Sequence, residues 1–204
     1  MNIFITIIVG TIIFEYVLNF ISRQLNLQSL TTTLPDEFIG TYDQAKYAQS
    51  QDYLRANTRF SLISECFSFI SILLFLSLLL KPLHEYVSSF SNSITLQALI
   101  YLGTLALASL ILDLPFSYYK TFVIEEKFGF NKTTLKTFFT DRLKGIVIGA
   151  ILGGLLLTIL IYFFVHTGAL AWLYCWIFFF TFQLILQYLV PTYVMPLFNK
   201  FTPL

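Results

Sequence analysis

Three carboxylates interrupt the apolar stretches of this 204-residue chain: Glu15, Glu65 and Asp113. An ionised group inside a bilayer costs a few kcal/mol if it faces lipid, so each one asks for a partner or a polar cavity. Gln183 and Gln187, four residues apart, put two amides on one helical stripe, with Thr181 lying off it. Two readings of this polar set stand side by side. One is a polar chamber or ion path opening inward. The other is a set of interhelical hydrogen bonds, with the acids reaching for Arg23, Arg59 or Lys120.

Hydrolytic or metal chemistry has little to work with. The sequence contains no H-E-x-x-H, G-x-S-x-G, Walker loop or G-x-G-x-x-G. Its two histidines, His84 and His166, have no Cys, Asp or His at metal-ligand spacing, and Glu85 merely adjoins His84. Cys66 and Cys175 lie in separate apolar segments without C-x-x-C spacing, which marks them as small core hydrophobes. No catalytic residue, metal ligand or cofactor site is assigned to this chain.

The densest charge in the chain is the run Thr121 to Lys132, TFVIEEKFGFNK. Glu125, Glu126 and Lys127 stand beside Gly129, which permits a turn, and Asn131, which hydrogen-bonds locally. A structural reading has the two acids pairing with Lys127, Lys132 or Arg142 to fix the loop. A functional one has them touching substrate. The structural reading is the simpler.

The elements that must position these groups follow from composition. Hydrophobic residues make up 57% and charged residues 11%, with a mean hydropathy of +0.77. Soluble domains carry about a quarter charged residues, so this is a membrane protein. The net charge of +1 excludes the basic footprint of a nucleic-acid binder. A hydrocarbon core needs about 20 apolar residues in a helix, and five windows supply them: Asn2–Ile21, Phe60–Leu80, Ile94–Phe116, Ile146–Val165 and Leu170–Val190. The windows are continuously apolar, as helices are, rather than alternating as in a barrel. The first lacks a basic leader and a cleavage site, so it reads as a retained anchor.

Every Lys and Arg except Lys81 falls on one side of this five-span layout. The positive-inside rule makes that side cytoplasmic, with the N-terminus outside and the C-terminal end inside. Trp172, Tyr174 and Trp176 then mark the outer boundary, and Tyr118, Tyr119, Tyr188 and Tyr193 the inner one. The short turn from His166 to Ala169 pairs the last two spans antiparallel. Gly145, Gly149 and Gly153 leave a small-residue stripe that lets another helix come close.

Both cytoplasmic loops carry helical signals. From Tyr42 to Arg59 there is no Gly or Pro; Tyr42, Ala45, Ala48 and Ala56 recur near helical spacing, and Asp52 precedes Arg55 by three. That helix is expected to run into the second span. In the later loop Thr133 or Thr134 caps a helix whose Leu135, Phe138, Phe139 and Leu143 share a face, set against the membrane surface or under a soluble domain. The fold class is therefore all-α: a polytopic membrane protein of five transmembrane helices with short amphipathic cytoplasmic helices, in one compact domain. A carrier usually shows helices broken near the midplane. Here Pro82, Pro115, Pro191 and Pro196 fall at span ends, where they are expected to terminate helices.

Several of these runs together resemble the N-terminal membrane region of the type 1 CAAX prenyl proteases, which are integral-membrane zinc metallopeptidases. Phe14-Glu15 is followed by Arg23-Gln24, then Leu34-Pro35, Glu37-Phe38 and Lys46-Tyr47. Leu114-Pro115-Phe116 and Tyr119 lead into Thr121–Lys127, Gly129-Phe130-Asn131 and Thr134-Leu135, with Asp141 and Lys144 beyond. The run from Pro196 through Asn199 and Lys200 to Leu204 is similar to the family's entry to its catalytic domain. Phe128 stands where many relatives have His.

The resemblance covers essentially the whole chain, and it implies the rest. Full-length members are expected to enclose a large water-filled chamber within seven helices. A further domain supplies H-E-x-x-H and a later Glu; two histidines and that Glu hold zinc, and the motif's own Glu acts as base. Zinc is thus expected in a full-length parent and in none of the 204 residues here. Residues 1–204 are expected to form the chamber-shaping N-terminal domain and to anchor the enzyme. Their partners would be the bilayer, the C-terminal catalytic domain with the remaining helices, and a peptide or lipidated-peptide substrate. The alternative is a non-enzymatic scaffold, channel or carrier built on this domain alone. The short loops suit a bacterial inner membrane.

Overall fold

A computed structural model describes residues 3–41 and 43–198. Tyr42, Asn2 and the stretch from Asn199 to Leu204, invoked above, lie outside the described residues. Among the described residues five helices are long and apolar enough to cross a membrane: α1 (Ile3–Ser29), α2 (Gln44–Ser88), α3 (Ile94–Glu125), α4 (Leu135–His166) and α5 (Gly168–Phe198). The described residues contain no β-strand. The all-α, five-span class read from composition is the one observed.

Helix α2 spans 45 residues, about 67 Å at 1.5 Å per residue, against a hydrocarbon thickness of about 30 Å. Its polar first part therefore continues well beyond the apolar window at Phe60–Leu80. Asp43 starts it: the carboxylate accepts the Ala45 N–H at 2.8 Å and the Lys46 N–H at 3.3 Å. Arg55 and Asp52 are paired at 3.2 Å, and Arg55 also donates to the Leu30 carbonyl at 3.3 Å. The Gln44 amide clasps the incoming chain, donating to the Thr32 carbonyl and accepting the Leu34 N–H. The loop between α1 and α2 is thus tied down on α2.

The prolines do not end helices as expected. Pro82 lies inside α2, Pro115 inside α3, and Pro191 and Pro196 inside α5. Widened π-turns accompany them at Phe75–Leu79, Lys120–Glu125 and Val190–Val194. A proline collides with the carbonyl four residues back; for Pro82 and Pro196 that residue, Leu78 or Thr192, sits in a π-turn. A π-turn shifts the hydrogen-bond pattern by one residue and lets a helix pass a proline without stopping. In hydrocarbon the backbone has no water to turn to, which favours this solution over a break.

Thr134 caps α4, its hydroxyl accepting the Thr137 N–H at 3.2 Å. The amphipathic segment after it is no separate surface helix: it runs unbroken through Gly145 into the span. Only Phe138 of its expected apolar face is buried, beneath the Arg142 guanidinium at 5.2 Å; Leu135, Phe139 and Leu143 are exposed. The Gly145, Gly149 and Gly153 stripe is also open, with no atom within 4 Å of where a Cβ would sit. Small residues permit a close neighbour but do not supply one.

Two compact units are distinguished, Met1–Glu85 with Ala108–Lys132, and Tyr86–Leu107 with Thr133–Leu204. In the first, α1 and α2 run antiparallel, with the Tyr16 and Phe69 rings stacked at 4.1 Å. Phe116 and Tyr119 of α3 pack against Phe60, and Phe116 against Phe67. In the second, α4 and α5 form the antiparallel pair the short turn implied. Phe163 faces Tyr174 and Phe178, and Gly168, at φ +58°, allows the reversal.

Candidate functional site

The first unit gathers the polar groups that matter. Arg23 of α1 and Glu65 of α2 form an ion pair between the two helices. Glu65 thereby takes the interhelical role. Glu15 on α1 and Asp113 on α3 are both exposed. Gln183 and Gln187 are exposed on α5, in the second unit.

Beside the Arg23–Glu65 pair lies a groove of about 810 Å³ between α1 and α2. Tyr16, Phe20, Ile63 and Ile70 are among its apolar walls, and Gln24, Gln28 and Arg59 line it at the other end. Cys66 is half-buried and faces this groove, which departs from its expected place in a core. Cys175 is buried, with its thiol 3.7 Å from the Leu160 carbonyl.

The charged turn has a defined geometry. Gly129 adopts φ +77°, the left-handed conformation that ends a helix. Its N–H donates to the Glu126 carbonyl at 3.1 Å, and the Phe130 N–H donates to the Glu125 carbonyl at 2.8 Å. Those two bonds make a Schellman motif, closing the helix with its last carbonyls satisfied. The Asn131 amide donates to the Glu126 carboxylate at 2.8 Å.

This closed turn rests on α2. The Gln49 amide donates to the Phe128 carbonyl at 3.5 Å. Tyr53 meets Phe128 and Phe130 edge-on, at 5.4 and 4.8 Å between centroids. Ile124 of the turn and Thr58 of α2 are buried. Phe128 is therefore one half of an aromatic clamp. Sequence reading had missed Gln49 and Tyr53, although their i, i+4 spacing places both on one stripe.

A second missed contact lies in the other unit. The Lys144 ammonium sits 3.2 Å from Asp141 and donates to the Leu197 carbonyl at 2.7 Å, over the Phe198 ring. It pins the end of α5 to the start of α4.

Metal chemistry finds no donor set. Among the described residues no three His, Cys, Asp or Glu groups converge to hold an ion. His84 and His166 are exposed, the latter with its ring 4.5 Å from Tyr162. A catalytic zinc does not fit these residues. What they offer is shape, a few anchored charges and a docked turn.

Residues 23–200 match the family described as "CAAX prenyl protease N-terminal, five membrane helices". CAAX prenyl protease 1 of Saccharomyces cerevisiae is 34% identical over 85% of this chain and 41% of its own length. A CAAX prenyl protease 1 homolog of Arabidopsis thaliana is 32% identical over 98% of this chain and 50% of its own. The crystal structure of S. mikatae Ste24p superposes with a TM-score of 0.90 at 33% identity, covering 98% of this chain and 49% of that one. The chain spans about half the length of such relatives. They come from yeast and plants, and another from mouse, so the expectation of a bacterial inner membrane finds no support in them.

Proposed function

The chain belongs to the CAAX prenyl protease N-terminal family, and from that premise we propose that it is the membrane-embedded, chamber-forming domain of a zinc-dependent endopeptidase. The observation that carries this reading is the match of residues 23–200 to that family, with the same backbone over 98% of the chain. The domain anchors the enzyme in the bilayer and shapes the route by which a prenylated or other lipidated peptide reaches the cutting site. Zinc and its ligands belong to the rest of the parent in this reading; among the described residues no three His, Cys, Asp or Glu groups converge. No chemical step is assigned to these helices.

Within that role the parts divide. The Arg23–Glu65 pair fixes the spacing of α1 and α2. The Schellman turn at Gly129, held by Gln49 and Tyr53, presents Glu125, Glu126 and Lys127 as a rigid brace for the catalytic part. Arg23, Lys46, Arg55 and Arg59 lie on the helices that flank the α1–α2 connection, and Lys120, Lys127, Lys132, Lys136, Arg142 and Lys144 lie in or beside the α3–α4 connection, which supports a cytoplasmic placement for both, with the N-terminus outside.

One sequencing experiment tests the reading: translation of the gene beyond the codon for Leu204. An H-E-x-x-H downstream supports the protease. A stop codon there transfers the domain to a non-enzymatic scaffold, channel or carrier.

A further inference from the structure

The groove between α1 and α2 has a length and a polarity gradient that fit one class of ligand, and this fit does not depend on the parent being a protease. We infer that it is a site for one acyl chain of an anionic glycerophospholipid, with the headgroup phosphate on Arg59. The floor is apolar from Tyr16 to Phe20 on α1 and from Ile70 to Ile63 on α2. Its other end is lined by Gln24, Gln28 and Arg59. Arg59 is the residue immediately before the apolar window of α2, so it stands where hydrocarbon gives way to headgroups. From Arg59 to Ile70 the helix rises about 16 Å, about half of a 30 Å hydrocarbon core and so the depth of one leaflet.

Charge decides the headgroup. Arg23 of α1 is already engaged by Glu65, and Arg55, one turn before Arg59 on α2, by Asp52. The Arg23 pairing engages Glu65, which adjoins the groove-lining Cys66. Arg59 itself is exposed and makes no ion pair with a carboxylate among the described residues. A guanidinium binds phosphate through two parallel hydrogen bonds, and two glutamine amides beside it can serve glycerol hydroxyls. The residues that line the groove include no carboxylate to meet a headgroup ammonium. An anionic headgroup without an amine is favoured over a zwitterionic one.

The test uses the natural full-length protein, native mass spectrometry, and phosphatidylglycerol and phosphatidylcholine as probes. One phosphatidylglycerol should be retained, with about a tenfold preference over phosphatidylcholine. Arg59→Gln should abolish that preference and Arg59→Lys should keep part of it, because lysine supplies charge without the planar fork. Lys136→Gln, an exposed cation in the other unit, should leave it unchanged. Ile63→Trp, which fills the groove without touching charge, should lower retention of both lipids while the thermal midpoint stays that of the parent. Retention unaltered in both Arg59→Gln and Ile63→Trp overturns the site. An equal loss in Lys136→Gln reassigns the effect to diffuse attraction and overturns it too. Mole-for-mole displacement of phosphatidylglycerol by a farnesylated peptide without phosphate would make the groove a peptide site instead.

Discussion

Arg23 and Glu65 reach across from α1 to α2 and form an ion pair, and each is more than half shielded from its surroundings. That pair turns one of three suspect acids into a fastener. Removing one partner leaves the other partly desolvated and alone, which costs more than the pair contributes net.

Glu65→Leu or Arg23→Leu alone should therefore destabilise the protein by roughly 1–2 kcal/mol, discounted for the partial exposure of both groups. The double Leu variant should recover much of that loss. Thermal unfolding in detergent reads it. Strictly additive losses would show that the pair carries no coupling.

Gly129→Ala forces a Cβ into the left-handed region, at a cost of about 1 kcal/mol. Nothing lies within 4 Å of the added atom, so the penalty is purely conformational. Gly129→Asn should recover part of it, since asparagine tolerates that region. A thermal midpoint for Gly129→Ala equal to the parent's would contradict the observed φ of +77°.

Five spans were legible because continuous apolarity needs no tertiary information, and so was the Thr134 cap, which is local chemistry. Where the helices end was not. The hydropathy window at Phe60–Leu80 sees only the apolar part of a helix that runs Gln44–Ser88, although the absence of Gly and Pro from Gln44 to Arg59 did announce the extension. Prolines misled because their local rule assumes an α-turn, and π-turns at Phe75–Leu79 and Val190–Val194 circumvent it. Of the polar set, Arg23 was named as one possible partner for the acids. The Gln49–Phe128 bond joins residues 79 apart, and the Lys144–Leu197 bond residues 53 apart. No local pattern encodes such partners.

Lys144→Met keeps most of the side-chain volume and removes the donor to the Leu197 carbonyl. The end of α5, from Val190 to Phe198, should then exchange its amide hydrogens about tenfold faster, as a charged hydrogen bond is worth about 1.5 kcal/mol. Exchange in α1 should not change. Unaltered protection at the end of α5 would mean that the π-turn and Pro196 hold it without Lys144.

Purified residues 1–204 should bind no stoichiometric zinc and cleave no peptide, given that no three donor groups converge among the described residues. Isothermal titration with zinc and a fluorogenic peptide assay check the two halves separately. Submicromolar zinc binding at one equivalent would sink the assignment of metal to the rest of the parent.

Orientation is decided by labelling. The chain has two native cysteines, Cys66 and Cys175, so a background with both replaced by Ala serves for single-cysteine reporters. Positive charge is retained on the cytoplasmic side during insertion, and Lys127 lies in the α3–α4 connection, with Lys120, Lys132, Lys136, Arg142 and Lys144 in or beside it, whereas Lys81 is the one cation beyond the other end of α2's apolar window. With the protein expressed heterologously in a bacterial inner membrane, an impermeant maleimide applied to sealed spheroplasts should label Lys81→Cys at once and Lys127→Cys only after lysis. His84→Cys should follow Lys81→Cys, because three residues of the same helix cannot lie on opposite sides of a bilayer about 30 Å thick. Immediate labelling of Lys127→Cys would reverse the proposed topology, and with it the side on which the Gly129 turn lies.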